Sequence, residues 1–254
     1  MLLAVVLLSG CGTGPSVGAR SNVALRASAN VRLLFHDPLS TTAPGDRCEN
    51  ELCRVLVDRI DSARRSVEFA VYGLRGQSEI LAALERARGR GLRVRGVVDR
   101  DASGQTYYSD TDLLQQRLIS VRSDQQVDEK LAGDRDGLRS SDGCLRPRGF
   151  EGPLQCLAID LGDRCLLGVH ASRARMAAGG GAIMHNKFVV IDGRWVWTGS
   201  ANLSDSGTGG YNANVVALVD SRRVASWYLE ELDQMYEEGR FHRLKRRGRA
   251  LDEA

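Results

Sequence analysis

His185 and Lys187 stand two residues apart in the segment MHNKFVVIDG, which is rich in strand-forming residues. Side chains two positions apart on a β-strand project from the same face, so this pair is predicted to enter one pocket. A lysine ammonium is a compact charge for a phosphate oxygen. An imidazole can attack phosphorus when neutral or protonate a leaving oxygen when charged, because its pKa lies near neutrality. Only three of the 35 lysine and arginine residues are lysines, so a lysine here is informative, and the pair predicts phosphoryl chemistry.

Further polar residues follow the pair at short intervals. Asp192 ends the same predicted strand, where it could orient or neutralise the two basic groups. Residues 199–202, Gly-Ser-Ala-Asn, are predicted to form a tight turn whose hydroxyl and amide groups could donate hydrogen bonds to a phosphoryl group. Each residue alone also has a structural explanation, since a lone histidine on a strand is more often a core residue and Asp-Gly is a turn signal. Their joint spacing favours a site with the catalytic residues His185, Lys187 and Asp192 and the phosphate-binding residues Lys187, Ser200 and Asn202.

Strand and helix patterns alternate around this site. Apolar residues at 3.6-residue spacing indicate helices, and alternating runs rich in β-formers indicate strands. Strands are predicted at residues 31–35, 66–74, 92–99, 183–192, 194–198 and 215–220, and helices at 49–64, 78–89 and 222–238. Alternation of strands and helices is typical of an α/β layer with parallel pairing. The first half of the chain is therefore predicted to build a scaffold.

The order of the site residues resembles a known pattern. His-x-Lys-x4-Asp-x6-Gly-Ser-x-Asn is the motif of the phospholipase D superfamily, and the residues that match it are His185, Lys187, Asp192, Gly199, Ser200 and Asn202. Residues 31–98 and 183–240 also look like the branch with one motif per chain, which includes bacterial endonucleases and cardiolipin hydrolase-like proteins. The resemblance implies a phospholipase D-like α/β/α sandwich with a central mixed, largely parallel sheet and one catalytic half per chain.

The resemblance also implies a mechanism and a partner. Members of the single-motif branch form homodimers in which two motifs share one active site. By this resemblance His185 of one subunit attacks phosphorus to give a phosphohistidine, and His185 of the other protonates the departing alcohol. Lys187 and Asn202 of both chains would hold the phosphate. No metal ion or other cofactor is implied, and one histidine, one aspartate and a nearby lysine would make a poor cation site.

One stretch departs from the family pattern. Related enzymes often place a glutamate in an Asn-x-Glu-Asn setting, where it orients the histidine. The corresponding residues here are Asn212, Ala213 and Asn214. We therefore expect Asn212 or Asn214 to position the histidine by a hydrogen bond. The alanine also keeps a different hypothesis open, that of an inactive phosphate-binding module.

The beginning of the chain predicts export. Residues 2–8 form an apolar run that is too short to span a bilayer, for which about 20 residues are needed, but that fits the apolar region of a secretory signal. The small residues before Cys11 resemble a bacterial lipobox, in which this cysteine is acylated, and a plain signal peptide or an unstructured apolar leader is the alternative. Residues 1–11 are thus predicted to be a signal with a lipobox and residues 12–30 a flexible tether. The expected location is the periplasm or the cell surface, with a lipid anchor in the membrane.

The catalytic domain is predicted at residues 31–240. An irregular insertion at about 120–182 interrupts it, with many glycines, little periodicity and three cysteines. Loops of that length are usually functional or mobile. Residues 241–254 are predicted to form a solvated basic tail. Since the net charge of +3 is fully accounted for by the five basic and two acidic residues of segment 243–254, the body is close to neutral.

Cysteine usage fits export. An oxidising compartment favours disulfides, but five cysteines besides Cys11 leave one without a partner in the chain, and the pairing cannot be read from their spacing. They are Cys48, Cys53, Cys144, Cys156 and Cys165. Structural zinc sites use closely spaced cysteine pairs, which these positions do not provide. No metal site is therefore predicted.

The predicted function is phosphodiester hydrolysis, with phospholipid headgroups favoured as substrate because the body is near neutral and the anchor would hold it at a bilayer. An exported nonspecific endonuclease acting on DNA or RNA is the alternative, because the motif serves both chemistries. A basic open channel would favour nucleic acid, and an apolar rim would favour lipid. Trp195 and Trp197 lie in the strand beside the site, where core packing and contact with acyl chains are both open interpretations.

Overall fold

A computed structural model describes residues 30–37, 39, 43–100, 104–125, 154–159, 165–170 and 183–246. The predicted signal with its predicted acylation at Cys11, nearly all of the predicted tether and Cys144 lie outside these residues. Among the helices that the structure describes, none combines the length and hydropathy needed to cross a membrane.

Eleven strands and four α-helices make up this part of the chain. The strands are β1 (Val31–Phe35), β2 (Ser66–Val71), β3 (Leu74–Arg75), β4 (Arg93–Val98), β5 (Ser120–Ser123), β6 (Leu154–Ile159), β7 (Cys165–His170), β8 (Lys187–Ile191), β9 (Trp195–Gly199), β10 (Leu203–Ser204) and β11 (Val215–Asp220). The helices are α1 (Glu51–Asp61), α2 (Ser78–Gly89), α3 (Leu113–Gln116) and α4 (Arg222–Tyr236), followed by a 3₁₀ turn at His242–Leu244.

Seven strands form one central sheet in the order β1-β11-β9-β8-β2-β4-β5. The pairs β2–β4 and β4–β5 are parallel, whereas β2–β8, β8–β9, β9–β11 and β11–β1 are antiparallel. The sheet is therefore mixed, as predicted, but the expectation that it is largely parallel is wrong. Crossover helices connect only the parallel strands, and the short turn between β8 and β9 can join only an antiparallel pair.

Helices cover both faces of this sheet, which confirms the α/β/α sandwich. Apolar residues of α1 and α2 pack on one face with Phe69 of β2 and Trp197 of β9, and α4 packs on the other with Phe188 of β8. Trp197 is fully buried and its indole N–H donates to the carbonyl of Leu52 at 3.2 Å, so it is a core residue. Trp195, half-buried, lies under the guanidinium of Arg59 at 3.8 Å.

A disulfide staples the start of α1. Cys48 and Cys53 form a disulfide bond, which assigns one of the cysteine pairs that the sequence left open. Between them, Asn50 caps α1 by accepting a hydrogen bond from the backbone N–H of Cys53 at 3.2 Å. The loop before the helix packs against residues 205–209, where the N–H of Gly45 donates to the carbonyl of Asp205 at 3.0 Å. The disulfide therefore stabilises a loop that supports the chain beyond β10.

Both predicted domain boundaries require correction. Strand β5 belongs to the central sheet, so the insertion begins after Ser123, and it is not wholly irregular because β6 and β7 pair antiparallel. The domain also continues past residue 240, since Phe241 is 2% exposed and packs with α4. Lys245 bonds to Glu231 of that helix. The basic tail as predicted is thus partly a packed segment, and residues 247–254 lie outside the described ranges.

Candidate active site

The candidate site lies at one edge of the central sheet. Strands β2, β4 and β5 run parallel and end at this edge, and ligands of open α/β sheets bind outside the carboxyl ends of parallel strands. Strand β8 begins at the same edge because it is antiparallel to β2, with Lys187 opposite Val71. The strand starts at Lys187 rather than at residue 183, so His185 lies in the segment that leads into it. The sheet topology therefore places both basic side chains at its binding edge.

The local environment tunes both basic groups. His185 is exposed and Lys187 is half-buried, and the Lys187 ammonium donates to the backbone oxygen of His185 at 3.1 Å. Desolvation of the partly covered ring, followed by the charge of Lys187, lowers the pKa of His185 from its usual 6.5. Burial lowers the pKa of Lys187 to about 8. At neutral pH the imidazole is therefore neutral and able to act as a nucleophile, while most of the lysine remains charged.

Two neighbours that the sequence did not single out hold the histidine in place. The ring of Tyr72 meets the imidazole of His185 edge-on, with ring centroids 4.7 Å apart. The buried carboxylate of Asp99 accepts a hydrogen bond from the backbone N–H of Met184 at 2.7 Å. Tyr72 directly follows β2 and Asp99 directly follows β4, so their positions at the ends of parallel strands were the available signal.

The turn at residues 199–202 reaches the same edge. The hydroxyl of Thr198 donates to the carbonyl of Lys187 at 3.0 Å, which places the turn beside the basic pair. A Cβ on Gly199 would lie 2.1 Å from the backbone oxygen of Val215, so only glycine lets β9 and β11 approach this closely. Sheet pairing therefore explains the glycine of the motif.

Both predicted phosphate ligands in the turn are at this edge. Ser200 is exposed, and its backbone N–H donates to the carbonyl of Val215 at 2.9 Å. The side-chain oxygen of Asn202 is buried and has no hydrogen-bond partner among the described residues. An unpaired buried polar atom is costly. A buried acceptor of this kind requires a donor such as water, which a phosphodiester oxygen is not, so this oxygen does not itself assign Asn202 to phosphate binding.

Asn214 holds Ser200. The Ser200 hydroxyl donates to the Asn214 side-chain oxygen at 2.9 Å, and the Asn214 amide donates to the carbonyls of Gly207 and Asn212, each at 3.4 Å. In the described part of the chain neither Asn212 nor Asn214 bonds to His185 through its side chain. The expectation that one of them positions the histidine is thus not met, and Asn214 positions the serine instead.

Asp192 lies at the far end of β8. Five residues along an extended strand separate it from Lys187 by roughly 16 Å. Its carboxylate accepts hydrogen bonds from three backbone N–H groups at the start of β2, those of Arg64, Arg65 and Ser66, at 3.1, 2.7 and 3.1 Å. The prediction that Asp192 is catalytic is therefore wrong, because this side chain ties the β8–β9 turn to β2 at the opposite edge of the sheet.

Exposed apolar side chains lie at the same edge of the sheet as the turn at residues 199–202. Phe35, Tyr211 and Val215 are 55%, 44% and 38% exposed, and we call these three residues the apolar rim. Phe35 and Val215 face each other across the pairing of β1 with β11. The backbone of Val215 reaches the turn, because its carbonyl accepts the Ser200 N–H, while its side chain alternates to the face of the sheet that α4 covers. Within the described ranges, no cluster of three or more His, Cys, Asp or Glu side chains could hold a metal ion.

The chain resembles one protein family and several solved structures. Residues 164–236 match the family model described as cardiolipin synthase, PLD-like domain. No curated protein matches the chain. Among solved structures, NucT from Helicobacter pylori is 18% identical with a TM-score of 0.49, covering 82% of this chain and 95% of that one. Nuc from Salmonella typhimurium, a phospholipase D family member, is 18% identical with a TM-score of 0.45, covering 84% and 97%. The phosphatidylserine synthase of Haemophilus influenzae Rd KW20 is 13% identical with a TM-score of 0.38, covering 81% and 38%.

Proposed function

We propose that the chain is a member of the phospholipase D superfamily, whose PLD-like domain model matches residues 164–236, and that it hydrolyses phosphodiesters through a covalent phosphohistidine at His185. Members of this superfamily are phosphodiesterases or hydrolases. One observation carries the proposal. The exposed imidazole of His185, whose pKa is lowered, and the half-buried ammonium of Lys187 lie together at one open edge of the sheet.

The proposed reaction has two steps. A neutral nitrogen of His185 gives its lone pair to phosphorus, so that a P–N bond forms as the P–O bond to the alcohol breaks. The alcohol leaves with a proton from a second acid. In the second step a water molecule attacks phosphorus and the P–N bond breaks. As it attacks, the water gives a proton to the second acid, which lost its proton to the alcohol in the first step. Lys187 stabilises the charge on the non-bridging oxygens, and the Ser200 hydroxyl, which donates to Asn214, holds the turn beside them in place.

We propose that the second acid is His185 of a second copy of the chain. The sequence contains one copy of the motif, and the exposed position of His185 leaves room for another imidazole to approach. Two copies facing each other at this edge would supply two histidines and two lysines to one phosphate. Light scattering at micromolar concentration is expected to give the mass of a dimer.

We propose phospholipids as the substrate class. The apolar rim lies at the same edge of the sheet as the phosphate-binding turn, where it would contact acyl chains or the bilayer interface. The near-neutral body gives no general attraction for a nucleic-acid backbone, which usually requires a basic surface. Export and lipid anchoring at Cys11 extend this proposal, and the Cys48–Cys53 disulfide supports them because disulfides form in oxidising compartments.

The substrate class is tested with purified protein lacking residues 1–20, incubated in EDTA. One set of tubes holds cardiolipin and phosphatidylcholine vesicles, and the other holds single- and double-stranded DNA. Release of headgroup or phosphatidic acid with intact DNA is the expected result. Degraded DNA with untouched lipid would identify a nuclease instead. The apolar rim would then not be a lipid-binding surface.

The pKa values predict a bell-shaped pH profile. In the free enzyme kcat/KM for bis(p-nitrophenyl) phosphate, whose p-nitrophenolate leaves without help from the second acid, is expected to fall at acid pH, as His185 protonates below 6.5, and to fall again near pH 8, as Lys187 loses its charge. Lys187→Arg is expected to remove the alkaline fall, because arginine stays charged. An alkaline limb at the same pH in that variant would show that another group titrates there.

The role assigned to Asn214 gives a further prediction. Asn214→Ala removes the acceptor of the Ser200 hydroxyl and so loosens the turn that lies beside Lys187, and we expect KM to rise about threefold to tenfold, as for one lost hydrogen bond of about 1 kcal/mol. Asn212→Ala is the matched comparison, since Asn212 contacts its neighbours through backbone groups. We expect a smaller rise for it. Equal effects of the two substitutions would contradict the role of Asn214.

A further inference from the structure

Arginines line the edge of the central sheet that lies opposite the candidate site. Five segments meet there, because a strand of the sheet begins or ends at each of them, and we call these segments the basic edge: residues 58–65, 85–93, 117–119, 192–194 and 220–223. They contain eleven arginines and five acidic residues, a net charge of +6, whereas the whole chain carries +3. The positive charge of the chain is therefore concentrated away from His185.

The basic edge is long enough to meet a surface rather than a single small anion. All seven strands of the sheet have one end there, so it extends over six strand spacings, roughly 30 Å. Near one end of the row, Leu118 follows Arg117 and is 70% exposed. At the other end the chain enters β1, where the carbonyl of Asn30 accepts the N–H of Asp220 at 2.7 Å. The predicted tether therefore joins the domain at the basic edge.

The fold does not use all of this charge. Arg64, Arg65 and Arg222 are exposed, and within the described residues their side chains form no ion pair. Arg222 also lies in the first turn of α4, where the helix dipole opposes a positive charge. Helix stability and ion pairing thus leave these three guanidiniums unexplained, and they are available to an anionic partner.

Guanidiniums from different elements converge at this edge. The pKa of Asp220 is lowered, first by the hydrogen bond from Arg194. The charges of Arg59 and Arg222 lower it further, so their positive potentials overlap at the end of β11. The guanidiniums of Arg59 and Arg194 also lie 3.8 and 5.5 Å from the ring centroid of Trp195, which is half-buried. Indole rings and basic side chains are enriched together at bilayer interfaces.

We propose that the basic edge docks the protein on an anionic lipid surface. Anionic headgroups attract basic side chains at short range, and the exposed Leu118 would enter the interface. This apolar side chain and the anchor predicted at Cys11 favour a lipid surface over a nucleic acid, whose phosphates need only the charge. The inference goes beyond the proposed function, because it concerns where the protein sits and not what it cleaves.

Docking in this way leaves the binding edge free. Lys187 lies at the other end of β8, roughly 16 Å away, so the candidate site would face away from the docking surface. The phospholipids that reach His185 would then belong to a facing membrane. In a dimer whose two copies meet at the binding edge, both basic edges remain on the outside.

The test is cosedimentation with vesicles of phosphatidylcholine alone or of phosphatidylcholine mixed with an equal amount of phosphatidylglycerol. The full chain carries Cys11→Ser, which removes the predicted acylation site, and His185→Asn, which removes the proposed nucleophile so that the lipids stay intact. The protein is expected to bind the anionic vesicles preferentially, and added salt should weaken this binding.

Two double variants in this background locate the surface. Arg64→Gln with Arg65→Gln should bind the anionic vesicles about tenfold to thirtyfold more weakly, since each arginine near an anionic surface contributes about fivefold. Arg47→Gln with Arg54→Gln is the matched control, because it removes two exposed arginines from the loop before α1 and from the beginning of that helix. Its binding should fall by less than about threefold, because charges away from the contact are screened.

The outcomes separate the inference from the proposed function. No preference for anionic vesicles, or an equal loss in the two double variants, would overturn the docking surface. Tighter binding of double-stranded DNA that only the Arg64→Gln, Arg65→Gln pair weakens would overturn it in favour of a nucleic acid. With His185 restored, this pair is expected to hydrolyse bis(p-nitrophenyl) phosphate within about twofold of the wild type, since distant sites act independently. If the wild type hydrolyses no phosphodiester, the proposed function fails, and vesicle binding still decides the docking surface.

Discussion

The His185→Asn variant is expected to lose phosphodiester turnover by at least about a thousandfold, because its side chain cannot form the covalent intermediate. His185 is exposed, so the free energy of unfolding should change by no more than about 0.5 kcal/mol. Steady-state hydrolysis of bis(p-nitrophenyl) phosphate, together with urea unfolding, measures both quantities on the same preparation.

His36→Asn is the matched control for this variant. His36 follows β1 and lies at the same edge of the sheet, where its backbone N–H donates to the carbonyl of Asn214 at 2.9 Å. Three strand spacings separate β1 from β8, about 14 Å, so His36 cannot share the phosphorus atom with His185 of the same chain. We expect this control to keep most of its activity. Near-normal turnover in His185→Asn would leave the mechanism without its nucleophile.

Asp192→Ala is expected to destabilise the fold by about 2–4 kcal/mol rather than to remove a catalytic group. The substitution leaves three backbone N–H groups ahead of β2 without their carboxylate acceptor. It also places alanine at a φ of 57°, which aspartate and asparagine tolerate better. Urea unfolding monitored by circular dichroism measures the loss.

Two further variants make this prediction specific. Asp192→Asn keeps an acceptor and a residue suited to positive φ, so its destabilisation should be smaller. Asp58→Ala changes an exposed aspartate of α1 and should stay within about 0.5 kcal/mol of the wild type. If Asp192→Asn kept the stability of the wild type but lost its turnover, Asp192 would have a catalytic role that the distance along β8 argues against.

The fold was largely predictable where local patterns decide it. Helix α1 shows apolar residues at helical spacing, and buried Leu52, Leu56 and Ile60 occupy the predicted face. Strand pairing was less predictable, because direction depends on which strands meet after a long excursion. The antiparallel contact of β8 with β2 joins segments more than 100 residues apart, and no local signal encodes it.

The site was predictable to the extent that its residues share one segment. His185, Lys187 and Ser200 reach the same edge because β8 and β9 form an antiparallel pair. Asp192 was misassigned because closeness in sequence was taken for closeness in space, whereas an extended strand carries its two ends apart. Asp99 was missed for the opposite reason, since it comes from β4 and meets Met184 only in the folded chain.

The central claim is that His185 becomes covalently phosphorylated during turnover. Rapid mixing of the protein with bis(p-nitrophenyl) phosphate, followed by an alkaline quench and digestion, allows the adduct to be located by mass spectrometry while the p-nitrophenolate burst is recorded. The account predicts an adduct on the peptide that contains His185 and, for one site shared by two chains, a burst of about half an equivalent per chain. Steady turnover with neither a burst nor an adduct at His185 would contradict it.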